Sequence, residues 1–243
     1  MMRQSFLKAA VLSAFCGLLA ACASTRNAEL LQAVSFEYGN WVAADVARLL
    51  DEGADVNALD ENGRSPLLNA YGVGVGLFED DPRQEEAAKS LNLLLAADAD
   101  VQARTPEGHN ALDLALCWYD NEDLVRILRD KGLKASKPEY ELVWHAMHNH
   151  ADEVRRLLAA GVSPDACSAH GRHAVWAAMP LLNLKGCSEE CLELLLKAGA
   201  DTQVLRHGQS LLDMAEMFRG EEMTEAAYDL LKQHGAKYHS RKE

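Results

Sequence analysis

Basic residues are scarce. The 243-residue chain carries 24 Lys and Arg against 37 Asp and Glu, a formal net charge of −13. A balance this acidic argues against electrostatic binding to nucleic acid or anionic lipid, since both need clustered cations. Catalytic signatures are missing too: there is no Gly-x-Ser-x-Gly elbow, no phosphate loop and no His-Glu-x-x-His helix. The uncharged run from Ala9 to Ala21 falls short of the about 18 apolar residues that a membrane-spanning helix needs. Cysteine is sparse, with six in all, and no second close pair of Cys or His completes a zinc set. No metal or cofactor is therefore expected, and no catalytic residue.

What the N-terminus does contain is a short basic start, Arg3 and Lys8, ahead of that uncharged run. This is the pattern of a secretory signal peptide. The run ends Leu19-Ala20-Ala21-Cys22, followed by Ala23-Ser24-Thr25, which resembles the bacterial lipobox. The resemblance implies cleavage before Cys22, a thioether from its sulfur to a diacylglyceryl group, and acylation of the new amine. An uncleaved anchor and an ordinary secretory cleavage site are the alternatives. Three acyl chains hold a protein firmly, since two anchoring signals already suffice. Ala23 rather than Asp after the Cys implies sorting to the periplasmic side of the outer membrane. On this reading residues 1–21 are the signal peptide, 22–27 the lipidated Cys and a tether, 28–239 the folded domain and 240–243 a polar tail. Without Arg3 and Lys8 the net charge is about −15. Cys187 and Cys191 are spaced to permit a local disulfide in an oxidising compartment, and Cys117 and Cys167 read as buried or partly buried thiols.

A repeat runs through the rest. Leu49-Leu50-Asp51-Glu52-Gly53-Ala54-Asp55-Val56-Asn57 precedes Asp60-Glu61-Asn62-Gly63-Arg64-Ser65-Pro66-Leu67. The ending returns at Leu195 to Asp201, more weakly at Leu157 to Gly161, and with Asp98 in place of Gly at Leu94 to Val101. These residues resemble the ankyrin repeat. Aligned on that landmark, Gly53, Asp98, Gly132, Gly161, Gly199 and Gly235 are 45, 34, 29, 38 and 36 residues apart, against a family period of about 33. A second landmark agrees. Gly63, Gly108, Gly171 and Gly208 are each followed by an apolar residue and an Ala, in the pairs Leu67 and Ala70, Leu112 and Ala115, Val175 and Ala178, Leu212 and Ala215. Seven residues before each ending stand Val46, Leu91, Val125, Val154, Leu192 and Tyr228. The resemblance implies an all-α, ankyrin-repeat solenoid of about six helix-turn-helix repeats with short finger turns. Gly closes the second helix in a left-handed turn, Pro66 suits a first helical turn, and no repeat buries its apolar face alone.

Departures from the pattern are as specific. About 12 extra residues lie around Gly72 to Lys89. The fourth repeat is about four residues short and lacks a finger turn between Leu133 and Glu139, which predicts a notch in the finger row. The last place of the family's opening tetrad holds Leu68, Asp113, Trp144, Trp176 and Asp213; the two Trp read as packing between repeats, and Trp41 as closing the N-terminal cap. His145, His148 and His150 read as exposed residues at the shortened repeat, not as a metal site.

The resemblance also implies the surfaces. Trp118, His148, Asn149 and Phe218, with Val73 and Leu181, fall near the ends of first helices, the concave partner side in ankyrin proteins. Arg64, His109, His170, Arg172 and His207 stand at the fingers. The function this implies is a membrane-tethered periplasmic module that binds a protein partner, monomeric when free. A narrower version is an immunity protein that neutralises a secreted antibacterial toxin or effector such as a phospholipase. An envelope stress-support factor or scaffold is another class, and an enzyme the remaining one.

Overall fold

The computed structural model describes residues 22–35, 42–71, 82–117, 122–179, 189–218 and 222–239. The proposed signal peptide, Trp41, Val73, Trp118, Leu181, Cys187 and the tail 240–243 lie outside these residues. Two compact units divide the chain, 1–111 and 112–243. Among the described residues all regular elements are helices, joined by turns that carry only the isolated antiparallel bridges Arg104–Asn110, Cys167–His173 and Arg206–Gln209.

In the first unit, residues 22–33 are helical (α1), followed by α2 (Ala43–Asp51), α3 (Pro66–Tyr71) and α4 (Pro82–Ala96). Apolar residues at helical spacing put Leu30, Val34, Val46, Leu49, Leu67 and Leu94 in the core, and α4 packs on both α2 and α3. The open N-terminus of α2 is capped from outside: the Ala43 amide donates to Glu86 Oε2 at 2.9 Å. That bond, with Lys89 beside it, holds the Glu86 carboxyl below its ordinary value, as expected for an acceptor at a helix start. Residues 23–27, expected as a tether, lie against the first repeat. They are helical, the Arg26 guanidinium donates to the Glu52 carbonyl, and the Asn27 side chain accepts the Asp55 amide at 2.8 Å. The first repeat therefore recruits this segment as part of its cap.

The second unit contains α6 (Glu122–Asp130), α7 (Pro138–Met147), α8 (Ala151–Ala159), α9 (Ala174–Ala177), α10 (Glu190–Lys197), α11 (Leu211–Met217) and α12 (Glu222–Gln233); α5 (Ala111–Ala115) spans the boundary. Inner helix α7 packs on α9, outer helix α8 on α10 and α10 on α12, while α7–α8 and α11–α12 pair within their repeats. This two-row stacking is how a repeat without its own core becomes buried. All six residues that precede the repeat endings, Val46 to Tyr228, are buried, as are all four apolar–Ala pairs after the finger glycines.

The six endings share one hydrogen-bond pattern. The residue after each landmark donates back five positions: Ala54 to Leu49, Ala99 to Leu94, Leu133 to Leu128, Val162 to Leu157, Ala200 to Leu195 and Ala236 to Leu231. This is the Schellman closure, which needs a positive φ at the landmark. Gly161 adopts +87°, whereas Asp98 must adopt +60° with a Cβ. Asp tolerates this region better than most residues but still pays for it. Asp98→Gly is expected to raise stability by about 0.5–1 kcal/mol, read as an upward shift of the urea midpoint at unchanged slope.

Repeats are also joined by polar links at one position. Asn57 accepts the Asp100 amide at 2.7 Å, and Asp165 accepts the Asp201 amide at 2.6 Å, as Asn27 does for Asp55. The tetrad's last residue adds a second set. Asp113 accepts from the Ser136 amide at 2.7 Å and its hydroxyl at 2.5 Å; Trp176 Nε1 donates to the Val204 carbonyl at 3.2 Å; Asp213 accepts the His239 amide at 3.0 Å. Asp113 is fully buried while Ser136 is exposed, so the loss removes two bonds to a buried carboxylate whose donors can still reach water. Asp113→Ala is expected to cost about 2–3 kcal/mol, and Asp213→Ala less because Asp213 is part-exposed; parallel chemical denaturation of the two variants checks the order.

Candidate protein-binding surface

The finger turns are built from short polar side chains and glycine. In the first, Asp60 Oδ1 accepts the Asn62 and Arg64 amides at 2.8 Å each, and Gly63 takes a φ of +73°. This leaves Glu61 and Asn62 at an exposed tip, with Arg64 half-buried and 3.7 Å from Glu107 of the next finger. In the second finger the Thr105 amide donates to the His109 carbonyl at 2.8 Å, the His109 amide donates to the Thr105 hydroxyl at 3.3 Å, and His109 is half-buried. The last finger is a tight hairpin in which His207 and Gly208 have φ of +51° and +75°, the two-residue pattern that matches strand twist. His207 is exposed at its tip, and Leu205 beside it is an exposed apolar residue.

The finger of the fifth repeat behaves differently. Residues 133–137 carry no finger turn, as expected, and α7 starts at Pro138. The gap is not left as a plain notch. The residues Ser168, Ala169 and His170 of the following finger interact with the buried Cys117 thiol at the end of α5, which burial pushes up from its ordinary value. The Arg172 guanidinium lies 2.9 Å from the Met147 sulfur. Of the two candidates here, His170 is exposed while Arg172 is half-buried against α7. Cys167, also half-buried, has its sulfur 3.2 Å from His173 Nδ1; burial and the Asp165 charge raise that thiol, the opposite direction to an activated one. Cys191 is buried.

Among first-helix ends, Phe218 is half-buried at the C-cap of α11, next to Met217, which is 62% exposed. His148 and Asn149 follow α7 and are half-buried, Asn149 with a φ of +54°. The histidines of this turn are a correction to the sequence reading. His145 is buried, and His148 and His150 are half-buried rather than exposed. His145 is 8% exposed, its Nδ1 lies 3.1 Å from His150 Nδ1 and its Nε2 3.7 Å from Glu141 Oε2. His148 Nδ1 is 2.9 Å from the Trp144 carbonyl. All three rings pack around Trp144, with centroids 4.9, 4.5 and 5.3 Å away, and Arg129 sits 5.2 Å over the same indole. Trp144 is buried as expected, yet its Nε1 has no hydrogen-bond partner among the described residues, unlike Trp176 one repeat on. Burial first, then His150 and Arg129, lowers His145 to about 4, and burial also lowers His150. Among the described residues no group of three or more His, Cys, Asp or Glu is arranged to hold a metal ion.

The fold is thus of the all-α ankyrin-repeat class, with the described candidate contact residues at fingers and helix ends. Known proteins agree with that class. No protein-family model matches the chain. It is similar to ankyrin repeat and SOCS box protein 6 of Pongo abelii, 29% identical over 189 residues, and to the Homo sapiens protein of the same name, 30% identical over 189 residues; each alignment covers 69% of this chain and 42% of the relative. The chain therefore spans less than half the length of the curated relatives it matches. A solved ankyrin repeat domain from Acinetobacter baumannii AYE is 25% identical, covering 86% of this chain and 98% of that one, with a TM-score of 0.40, too loose a superposition to add weight. The curated likenesses and the repeat-by-repeat geometry support the ankyrin-repeat family.

Proposed function

We propose that this chain is a protein-binding module tethered to the periplasmic side of the outer membrane through Cys22. The observation that carries the binding part is how the residues are spent. Helix faces and tetrad positions are committed to stacking, while Glu61, Asn62, His170, His207 and Met217 remain exposed at finger tips and a helix end. Mixed charge at such rims sets orientation and rate of encounter, and the apolar residues Met217 and Phe218 supply the desolvated contact that affinity needs. The tether rests on the likeness of Leu19 to Cys22 to a lipobox and on the exposed thiol of Cys22.

The test is affinity capture from intact envelopes with the full chain, read by mass spectrometry, beside labelled-palmitate incorporation into wild type and Cys22→Ser. A stoichiometric protein partner lost on Phe218→Ala supports the helix-end surface, and a phospholipase or other antibacterial effector as that partner makes this an immunity protein. A set of envelope housekeeping proteins favours the stress-support or scaffold class. No label on Cys22 removes the tether and leaves the binding reading to stand on the capture alone.

A further inference from the structure

The cluster at residues 145–150 joins a turn to a helix through a bond that depends on protons. His150 is the N-cap of α8. Its amide donates to the His145 carbonyl at 2.9 Å, and its ring nitrogen meets that of His145 at 3.1 Å. Asn149 between them is held in the left-handed region at +54°, a conformation that persists when the surroundings over-determine it. We propose that the His148–His150 turn is a proton-operated latch: the N–H···N bond between the rings of His145 and His150 adds to the backbone bonds of the turn, and the turn loosens when both of these imidazoles become charged and that bond is lost.

The proton count follows from the imidazole. Two neutral rings hold two N–H groups, and one of these makes the Nδ1–H···Nδ1 bond. A first added proton goes to the ring nitrogen of the donor that is outside the bond, so the bond survives and becomes charge-assisted. A second must occupy the accepting Nδ1. Two N–H groups then face each other at 3.1 Å and the bond is lost. The rings therefore titrate as a coupled pair.

The groups around the pair bias it towards the closed state. On α7 itself Glu141 lies 3.7 Å from His145 Nε2, but Arg129 of α6 ion-pairs with that same Glu141, so the carboxylate is already engaged. Arg129 and His148 oppose charge on both rings; Glu153 of α8 favours it on both, and Glu122 of α6 on His150. Arg156 and Asp113 act on Glu141 with opposite signs. From the other packed side α9, Ala-Val-Trp-Ala, has no charged residue, but the Arg172 guanidinium ahead of it lies against Met147 at the end of α7 and adds to the positive charge that opposes protonation. Burial lowers both imidazoles, which keeps the latch shut at neutral pH. Since His148 and Asn149 ride on the turn, opening would also reshape that part of the binding surface, a consequence that rests on the binding reading; the latch itself does not.

The experiment is histidine-resolved NMR on the full chain from pH 7.5 to 3.5, with amide protection factors measured over the same range. His145 and His150 are expected to titrate in two coupled steps below the ordinary imidazole range. Protection at His150 and Ala151 is expected to fall at least tenfold through the second step while α10 and α12 stay protected. In His150→Asn, which keeps a favourable N-cap residue, the remaining His145 is expected to titrate in one step and the local loss to disappear. Independent titration of His145 near 6.5 overturns the proposal. So does loss of protection in α10 and α12 together with the turn, which is general acid unfolding, or unchanged protection at 149–151 after both rings are charged.

Discussion

Acidification from pH 7 to below pH 4 is expected to cost the fold about 3 kcal/mol through His145 alone. The buried imidazole titrates at about 4, against an ordinary value of 6.5, and each unit of difference is worth about 1.4 kcal/mol. The direction follows from proton binding. Below pH 6.5 the unfolded chain takes up a proton at this residue while the folded one stays neutral until about pH 4. The unfolded state thus binds more protons in that window, and stability falls as pH falls. The contribution is intact above 6.5 and gone below 4. Glu141 works the other way: burial raises its carboxyl in spite of Arg129, so it gives back part of the loss as it protonates. Urea unfolding at half-unit pH intervals isolates the His145 share by comparison with His145→Leu. The variant is expected to be less stable at pH 7, because His150 loses its partner, but to lose about 3 kcal/mol less on the way down. Parallel curves for the two proteins would refute the assignment.

Leu142→Ala is expected to cost about 3–4 kcal/mol. Leu142 is fully buried on α7, the helix that packs on both α8 and α9. Deleting three carbons there removes their transfer energy and leaves a cavity that rigid neighbouring helices cannot close; buried Leu to Ala changes of this kind span roughly 2–5 kcal/mol. In a stacked array the loss is not confined to one repeat, because each repeat is held by its neighbours. The unfolding transition of Leu142→Ala should therefore move to lower urea as a whole, and Leu142→Val should fall between the variant and wild type. A loss under 1 kcal/mol would mean that the α7 interface can collapse and is less tightly packed than its burial indicates.

The legible parts of this fold share a physical property: they depend on a few consecutive residues. A Gly after Leu-Leu ends a helix because only a left-handed residue can accept that turn, and all six endings close in the same way, including the one that uses Asp98. The buried positions followed from period and landmark. The surface candidates were harder to read. Arg172 looked like a finger-tip residue, yet its guanidinium lies against Met147 at the end of α7. Residues 23–27 read as a tether because they follow the lipobox-like stretch ending at Cys22; in the structure Arg26 and Asn27 bond to a backbone carbonyl and an amide of the first repeat.

The histidine cluster shows the same division most clearly. By helical spacing His145 and His148 share a face, and nothing in the sequence brings His150 to His145. The structure pairs His145 with His150, because α7 stops at Met147 and the left-handed Asn149 turns the chain back over the helix end. The sequence by itself determined the number, period and class of the repeats, since helix caps, finger turns and apolar spacing are short-range properties of the chain. Tertiary structure alone decided which polar groups are buried against which. Asp113 with Ser136, Trp176 with Val204 and His145 with His150 meet only after repeats have stacked and turns have closed, and the desolvation that lowers both imidazoles does not exist until then.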